Sequence, residues 1–308
     1  MDNISFQDAD HLLSWSGIAD ALEAGHKLKK ADIGDLLLQN SGNSLLNRGA
    51  WIEGLGMLLK SMSIFPQNID LPSVQGAALL FDGETGTVNS VIDGILVTKW
   101  KTAGDSVLGA RLLAAPQPTN LLVVGAGTVA KSLFQAYREV FPSLKKFTLW
   151  NRTRQRAKNL VEELSALGFT IEIVTDLEAA VKEANIISCA TMAIEPILKG
   201  DWVSPGTHVD LIGAFKSDMR EADDALLQKS ELFVDSFETT IHHIGELMIP
   251  LQSGAIKSDD VRGDLYDLCN RKISRSNKSA ITIFKNGGGA HLDLMTAVYI
   301  RESLAKIK

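Results

Sequence analysis

Leu121-Leu122-Val123-Val124-Gly125-Ala126-Gly127-Thr128-Val129-Ala130 is the stretch of sequence that decides the fold. Four apolar residues predict a short buried strand, a G-x-G-x-x-A pattern follows it directly, and residues 131–140 continue with a helical pattern. Gly125 permits a tight turn, Gly127 lets backbone amides approach a pyrophosphate, and Ala130 lets helix and strand pack closely. The helix N-terminus stabilises an anion, so the stretch predicts a dinucleotide site. The predicted contacts here are Gly125, Gly127, Thr128 and Val129.

The next strand, residues 147–150, indicates which dinucleotide binds. An enzyme that uses NAD usually places Asp or Glu at the end of this strand, where it accepts hydrogen bonds from the ribose hydroxyls. Here the strand ends in Asn151-Arg152-Thr153-Arg154-Gln155-Arg156, which offers an amide, a hydroxyl and guanidinium groups suited to a 2′-phosphate. The sequence therefore favours NADPH, with NADH as a weaker cofactor. The predicted contacts are Asn151, Arg152, Thr153 and Arg156.

A plainer interpretation of the same segment is a helix capped by Thr153, with arginines that are only solvated. Three arginines near a helix N-terminus oppose the helix dipole, however. An anionic ligand explains them better.

Strands and helices alternate regularly on both sides of this segment. Such alternation predicts a parallel sheet with crossover helices, here a doubly wound α/β domain of the Rossmann type. Pro116 and Pro118 break the chain before the first strand, which places this domain at residues 119–291. The predicted strands are 121–124, 147–150, 170–174, 185–189, 208–212 and 232–235. One helix is predicted to begin at residue 128, and three others are predicted at 155–167, 177–184 and about 221–229.

The remaining residues, 1–118 and 292–308, predict a second domain of the α+β type. Residues 18–30 form an amphipathic stretch, and two apolar runs, 78–81 and 88–96, flank a turn-like segment and predict a hairpin. Residues 97–114 have helical spacing, and the last helical segment, 292–308, follows a glycine run and returns to this domain. A chain of 308 residues suits two such domains.

Composition argues against several classes of function. The net charge is -6 and the basic residues are mostly scattered, which does not suit a nucleic-acid surface. No apolar run is long enough to span a bilayer, and the N-terminal MDNISFQDAD is acidic, unlike a signal peptide, so we expect a cytoplasmic protein. Cys189 and Cys269 are predicted to be reduced thiols. Adjacent histidines face apart, so we expect no metal site at His242-His243.

Several further motifs resemble the ornithine cyclodeaminase and mu-crystallin family over most of the chain. They are Phe81-Asp82-Gly83-Glu84-Thr85-Gly86, Asp93-Gly94, Thr98, Thr102-Ala103, Leu149-Trp150-Asn151-Arg152-Thr153, residues 191–198, residues 209–214, Met219-Arg220-Glu221, Val234-Asp235-Ser236, Gly288, Ala290 and Asp293. The resemblance implies a two-lobed homodimer, in which the first lobe and the C-terminal helix bind substrate and form the dimer contact. It also implies cofactor contacts at Thr191 and Met192.

The resemblance leaves several activities open, and one position discriminates among them. Ornithine cyclodeaminases carry Gly-Gly-Asp where this chain has Gly213-Ala214-Phe215, and that Asp serves as a base. Its absence favours the ketimine reductase branch, which reduces Δ1-pyrroline-2-carboxylate or Δ1-piperideine-2-carboxylate to L-proline or L-pipecolate. The ring size stays open. The alternatives are an alanine dehydrogenase type, an ornithine cyclodeaminase, and a crystallin-type protein that binds NADPH and a small ligand without turnover.

An imino acid needs fixed cations for its carboxylate, and the first domain offers three candidates. Lys60 resembles the family's substrate-binding lysine, with a solvated or snorkelling lysine as the alternative. Lys101 stands where relatives carry an arginine, and Arg48 lies in a segment that resembles the family only loosely. A protonated imine is already electrophilic, so no strong protein acid is required.

Two residues of the closing motif are further candidates. His291 follows a glycine run at the start of the last helix, where it either touches the nicotinamide or substrate or contacts only the backbone. Asp293 is predicted either as a polar contact in the active site or as a partner of the helix dipole in the first turn.

Overall fold

A computed structural model describes residues 1–306 and divides into two compact units. The first unit comprises Met1–Gly104 and the C-terminal segment from Gly289, and the second comprises Asp105–Gly288. The predicted 292–308 helix therefore extends two residues beyond the part of the chain that the structure describes. No helix within residues 1–306 has the length and apolar character that crossing a membrane requires.

The first unit is an α+β fold built on a mixed sheet with the strand order β1-β6-β5-β4-β3-β2. Strands β2 to β6 form an antiparallel meander, and β1 pairs with β6 in parallel. The strands are β1 Asp2–Ile4, β2 Asp32–Asn40, β3 Asn43–Ile52, β4 Gly56–Ile64, β5 Val74–Phe81 and β6 Val88–Asp93. The predicted hairpin of residues 78–81 and 88–96 is confirmed as β5 and β6, but the second strand ends at Asp93, where a helix begins.

Helices cover one face of this sheet. Their bounds are α1 Phe6–Ala9, α2 Trp15–Gly25, α3 Gly94–Leu113, of which the residues up to Gly104 belong to this unit, and the last helix of the chain, Ala290–Ala305. This last helix packs on α2 and on strands β3 and β4. Ile18, Leu22, Leu58 and Leu292 are fully or almost fully buried, which places the core between helices and sheet.

The second unit is the predicted doubly wound α/β domain, with an all-parallel sheet in the order β13-β12-β14-β11-β10-β7-β8-β9. Its strands are β7 Asn120–Val124, β8 Lys146–Trp150, β9 Ile171–Ile173, β10 Ile186–Cys189, β11 His208–Leu211, β12 Glu231–Val234, β13 Val261–Gly263 and β14 Thr282–Lys285. Strands β8 and β9 extend the sheet on one side of β7 and β10 extends it on the other, so strand order reverses between β7 and β10. Ligands bind at such a reversal, outside the carboxyl ends of the strands.

Further helices of this unit follow α3, and the first four lie at the predicted positions, with ends that shift by a few residues. They are α4 Thr128–Val140, α5 Arg154–Ser165, α6 Leu177–Glu183, α7 Asp224–Gln228, α8 Phe237–Thr240, α9 Gly245–Ser253 and α10 Leu265–Cys269, so that the last helix of the chain, Ala290–Ala305, is α11. Sequence periodicity did not predict β13, β14, α8, α9 or α10, which are short. The Rossmann fold class is nevertheless confirmed.

Candidate functional site

A groove lies at the carboxyl ends of β7, β8 and β10, where the strand order reverses. Its cavity has a volume of about 190 Å³. The residues that line it are Gly125, Ala126, Gly127, Trp150, Asn151, Arg152, Thr153, Arg156, Ala190, Thr191, Met192, Ala193 and Ile197. The structure thus brings together eight of the ten predicted cofactor contacts. Thr128 and Val129 do not line it and form the first turn of α4 instead.

The glycines of this groove have different physical roles. Gly125 has a φ of 109°, its N–H donates to the Trp150 carbonyl at 2.8 Å, and an added Cβ would lie 2.5 Å from the Ala190 carbonyl oxygen. Only glycine fits there. A Cβ at Gly127 would meet nothing within 4 Å, so this glycine leaves open space, and no side chain caps the helix that begins after it. The uncapped N-terminus facing that space suits a phosphate.

Asn151 supports the glycine loop from the end of β8. Its Oδ1 accepts from the Ala126 N–H at 3.1 Å, and its Nδ2 donates to the Thr153 carbonyl at 2.8 Å. Both ends of the amide therefore bond to the protein, and Asn151 braces the loop in addition to lining the groove. Sequence analysis identified the residue type but not this orientation.

The cationic end of the groove is open to solvent. Arg152 and Arg156 are exposed and line it, whereas Arg154 is exposed and does not. Thr153 precedes α5 without a capping hydrogen bond from its side chain, and the first turn of α5 contains no acidic residue. Thr153 therefore occupies the N-cap position of α5, as the plainer interpretation predicts, and it lines the groove together with the two arginines.

Lys60, Lys101 and Asp293 meet inside the first unit, although they come from β4, α3 and α11. Lys60 Nζ lies 2.6 Å from Asp293 Oδ1 and donates to Thr98 Oγ1 at 3.3 Å, and Lys101 Nζ lies 3.9 Å from the same Asp293 oxygen. Asp293 is fully buried, and its Oδ2 has no hydrogen-bond partner within residues 1–306. We call these three residues the cation cluster. Its two ammonium groups share one carboxylate, which leaves an excess of positive charge.

The cation cluster changes the ionisation of its members. Burial lowers the pKa of Lys60 to about 8; Asp293 opposes this shift, whereas Lys101 and Arg48 add to it. Burial by itself would raise the pKa of Asp293, but the charges of Lys60 and Lys101 and the hydrogen bond from Lys60 outweigh burial and hold that pKa below its usual value. Asp293 is therefore ionised at neutral pH. Asp293 lies in the first turn of α11, as one of its two predicted roles requires, and its carboxylate pairs with Lys60.

Arg48 lies on β3 directly opposite Lys60 on β4. Its Nε is 3.1 Å from the Asp35 carboxylate on β2, so its main ionic partner is Asp35. The structure places Arg48 beside the cation cluster, with its guanidinium paired with Asp35 on β2.

His291 lies at the start of α11 and is buried, with 1% of its surface exposed. Its ring packs edge-on against His26, with ring centroids 5.5 Å apart. Burial is the main cause that lowers the pKa of His291 well below its usual value, with smaller contributions from Lys101 and from His26 when that ring is protonated, and burial lowers the pKa of His26 to about 4. Both rings are neutral at physiological pH. Sequence analysis missed His26, because a single histidine at a helix end has no distinctive pattern.

Comparisons with known proteins bear on the family and on the fold of the chain. The sequence profile of the ornithine cyclodeaminase/mu-crystallin family matches residues 56–308. The chain is 52% identical over 305 residues to a Δ1-pyrroline-2-carboxylate reductase of Paracoccus denitrificans, an alignment that covers 98% of this chain and 96% of the relative.

Solved structures of similar proteins extend over the whole chain. The Δ1-pyrroline-2-carboxylate reductase of Thermococcus litoralis, solved with NADH and L-proline, is 28% identical with a TM-score of 0.90, covering 100% of this chain and 98% of that one. An archaeal alanine dehydrogenase dimer with bound NAD is 25% identical with a TM-score of 0.90, covering 100% and 97%.

Proposed function

Because the chain belongs to the ornithine cyclodeaminase/mu-crystallin family, we propose that it uses NAD(P)H to reduce a cyclic imino acid to the corresponding L-amino acid. The substrates are Δ1-pyrroline-2-carboxylate, Δ1-piperideine-2-carboxylate, or both, and the products are L-proline and L-pipecolate. The observation that carries the proposal is the buried cation cluster, in which Lys60 and Lys101 surround one carboxylate. The 52% identity to a reductase of this kind supports it.

The residues of the cation cluster bind the carboxylate of the imino acid in this proposal. Lys60 and Lys101 supply the cations, and Asp293 fixes the Lys60 ammonium by its 2.6 Å contact. Lys60 retains its proton at neutral pH, since its pKa is about 8. When bound, the nicotinamide cofactor supplies the hydride that adds to the carbon bearing the carboxylate. The protonated imine nitrogen becomes the amine, so the cluster positions the substrate and transfers no proton in this step.

The preferred cofactor in this proposal is NADPH. Arg152 and Arg156 line the groove at the end of β8, Thr153 lies between them, and no carboxylate side chain is among the groove residues. Two guanidinium groups suit a 2′-phosphate, whereas the ribose hydroxyls of NADH usually require an acidic partner. The similar reductase from Thermococcus litoralis was solved with NADH, so the comparison supports a dinucleotide and leaves the phosphate preference to this chain's own residues.

We further propose that the protein is a homodimer through its first unit. The edge strand β2 exposes three consecutive leucines, Leu36, Leu37 and Leu38, each more than 50% accessible. Successive residues of a strand point to opposite faces, so β2 exposes apolar surface on both faces as well as an unpaired edge. Proteins usually bury such an edge, and in this proposal a second copy of the chain packs against it. Sedimentation equilibrium of the wild type and of a Leu36→Lys, Leu38→Lys variant tests this, with a monomeric wild type as the contrary result.

A cytoplasmic location is part of the proposal. Cys189 and Cys269 are buried and form no disulfide within residues 1–306, the state that a reducing compartment maintains. Cell fractionation tests it directly.

The experiment that tests the activity is NADPH oxidation with Δ1-pyrroline-2-carboxylate at neutral pH. Parallel reactions contain Δ1-piperideine-2-carboxylate, pyruvate with ammonia, or ornithine without a reductant. Rapid oxidation with an imine supports the proposal, and turnover only with pyruvate and ammonia replaces it with an alanine dehydrogenase activity. Release of ammonia from ornithine contradicts the argument from Gly213-Ala214-Phe215, and binding of NADPH without turnover of any substrate indicates a binding protein.

A further inference from the structure

Glu221 connects two loops at the carboxyl edge of the parallel sheet. Its side chain is fully buried, and its Oε1 accepts both the Thr191 backbone N–H at 2.8 Å and the Thr191 hydroxyl at 2.7 Å. The other oxygen, Oε2, accepts the Gly213 N–H at 2.7 Å. Thr191 follows β10 and Gly213 follows β11, so one carboxylate ties the ends of two adjacent strands together.

The loop after β10 forms one half of the cofactor groove. In a doubly wound sheet a dinucleotide lies across the point of strand reversal, with one half on each side of the first strand. The arginines after β8 mark the phosphorylated adenosine half, on one side of β7. Thr191, Met192 and Ala193 line the groove on the other side of β7. They therefore border the half that receives the nicotinamide.

The surroundings of Glu221 hold its carboxylate in one place. Glu246, itself fully buried, accepts the backbone N–H groups of Glu221 and Ala222 at 2.8 and 2.9 Å. Burial raises the pKa of Glu221, and the charge of the buried Lys285, whose Nζ donates to the Leu211 carbonyl at 2.8 Å, opposes that rise. A Cβ at Gly213 would overlap both the Thr191 backbone and the Glu221 carboxylate. The contact between Thr191, Gly213 and the Glu221 carboxylate therefore allows only glycine at position 213.

We propose that Glu221 is a positioning residue, which shapes the nicotinamide half of the groove by fixing Thr191 to Gly213. A buried carboxylate is costly, and the donors that converge on it from Thr191 and Gly213 compensate for that cost only in one geometry. The segment of residues 191–193 would move without it, because Thr191 has both its N–H and its hydroxyl on this carboxylate. This inference rests on the proposed use of a nicotinamide cofactor, but it does not depend on which substrate is reduced.

The Glu221→Gln variant tests the proposal when its binding of NADPH is compared with its binding of 2′,5′-ADP, which contains only the adenosine half of the cofactor. The amide keeps the shape of the side chain, but its NH2 group faces an N–H donor, so at least one of the three hydrogen bonds is lost. We expect the dissociation constant of NADPH to rise about tenfold, while that of 2′,5′-ADP, which has no nicotinamide, changes by less than about twofold. The fluorescence of bound NADPH, which reports the nicotinamide environment, shifts towards that of free NADPH.

Two further variants separate positioning from general damage. Thr191→Val removes the hydroxyl donor and keeps the size of the side chain, so we expect a smaller loss of the same kind, even if the Glu221 variant does not fold. Asp210→Asn is the matched control, since Asp210 is a fully buried carboxylate on β11 that binds Tyr137 and Ser188 and does not line the groove. It should lower thermal stability and keep the ratio of the two affinities.

Equal loss of NADPH and 2′,5′-ADP affinity in the Glu221 and Thr191 variants would overturn the proposal, and so would unchanged NADPH binding and fluorescence in both. These are binding measurements, so they stand apart from the imine assay. If the Glu221 variant loses affinity for NADPH but not for 2′,5′-ADP and the wild type reduces no imine, the role of Glu221 is supported and the proposed activity is rejected. If the wild type reduces the imine but the variant shows no such difference between NADPH and 2′,5′-ADP, the proposed activity is supported and the role of Glu221 is rejected.

Discussion

Lys60 Nζ lies 2.6 Å from Asp293 Oδ1, with 5% of the lysine side chain and none of the aspartate side chain exposed. Burying such a pair is costly, and a hydrophobic pair of the same size would often be as stable. The cost is larger here, because Lys101 brings a second ammonium to within 3.9 Å of the same oxygen. An arrangement with unbalanced positive charge is poor as a stabilising device and well suited to binding a carboxylate.

The first prediction concerns the Lys60 charge. Lys60→Met removes one cation and keeps an unbranched side chain, so kcat/KM for the imino acid should fall about 100-fold, as expected for a lost charge-assisted hydrogen bond. The dissociation constant of NADPH should not change. The measurement is steady-state kinetics together with fluorescence titration of NADPH.

Lys99→Met provides the matched control for that variant. Lys99 is the neighbouring lysine of α3 and pairs with Asp10 at 2.6 Å, outside the cation cluster. Lys99 is half-buried, but its ionic partner lies outside the cation cluster, so its loss should leave kcat/KM within about twofold. Unchanged kinetics in Lys60→Met would remove Lys60 from the substrate site.

The second prediction follows from the Lys60 pKa of about 8. The ammonium is charged below that pH and neutral above it, so affinity for a carboxylate should fall as the pH rises through about 8. Pyrrole-2-carboxylate is a suitable probe, because its carboxylate stays ionised over this range whereas the imine substrate titrates. We expect its inhibition constant to rise above about pH 8 in the wild type. Lys60→Arg should remove this rise, since a guanidinium remains protonated. A flat profile in the wild type would contradict the assignment.

Sequence patterns predicted the second unit far better than the first, for a physical reason. Strands β7, β10 and β11 are buried on both faces and appear as short apolar runs between helices, which is the strongest available pattern. Strand β2 is almost entirely exposed along its length, so it lacks the alternation of apolar and polar residues that marks a half-buried strand. Its neighbours β3 and β4 were missed with it.

The members of the candidate site were predictable, but their pairings were not. Lys60 and Asp293 are separated by 233 positions in the sequence, and neither residue's local pattern indicates the other. The orientation of the Asn151 amide is a further example, because its partner Ala126 contributes only a backbone N–H. Glu221 was visible only as part of a family motif, and its contacts require the positions of β10 and β11.

The third prediction concerns the choice of cofactor. Arg156→Gln removes one of the guanidinium groups that line the groove, so the preference for NADPH over NADH should fall about tenfold or more. The measurement is the ratio of kcat/KM for the two cofactors at fixed ionic strength. Arg154→Gln is the matched control, because Arg154 is exposed in the same turn of α5 and does not line the groove. Equal ratios in the Arg156 variant and the wild type would mean that this arginine does not bind the 2′-phosphate.

The fourth prediction concerns Glu246, the buried carboxyl beneath Glu221. Burial, together with the neighbouring charge of Glu221, raises the pKa of Glu246 from 4.5 to about 7. Between these two values the folded protein keeps a proton that the unfolded chain has released, so the stability from this group is present at low pH and is lost as pH rises through about 7. Glu246→Gln cannot titrate. We therefore expect the melting temperature of the wild type, measured relative to this variant, to fall by about 3 °C or more between about pH 5 and 8.5. A wild type that gains stability relative to Glu246→Gln as the pH rises would show that Glu246 is ionised in the folded protein throughout this range.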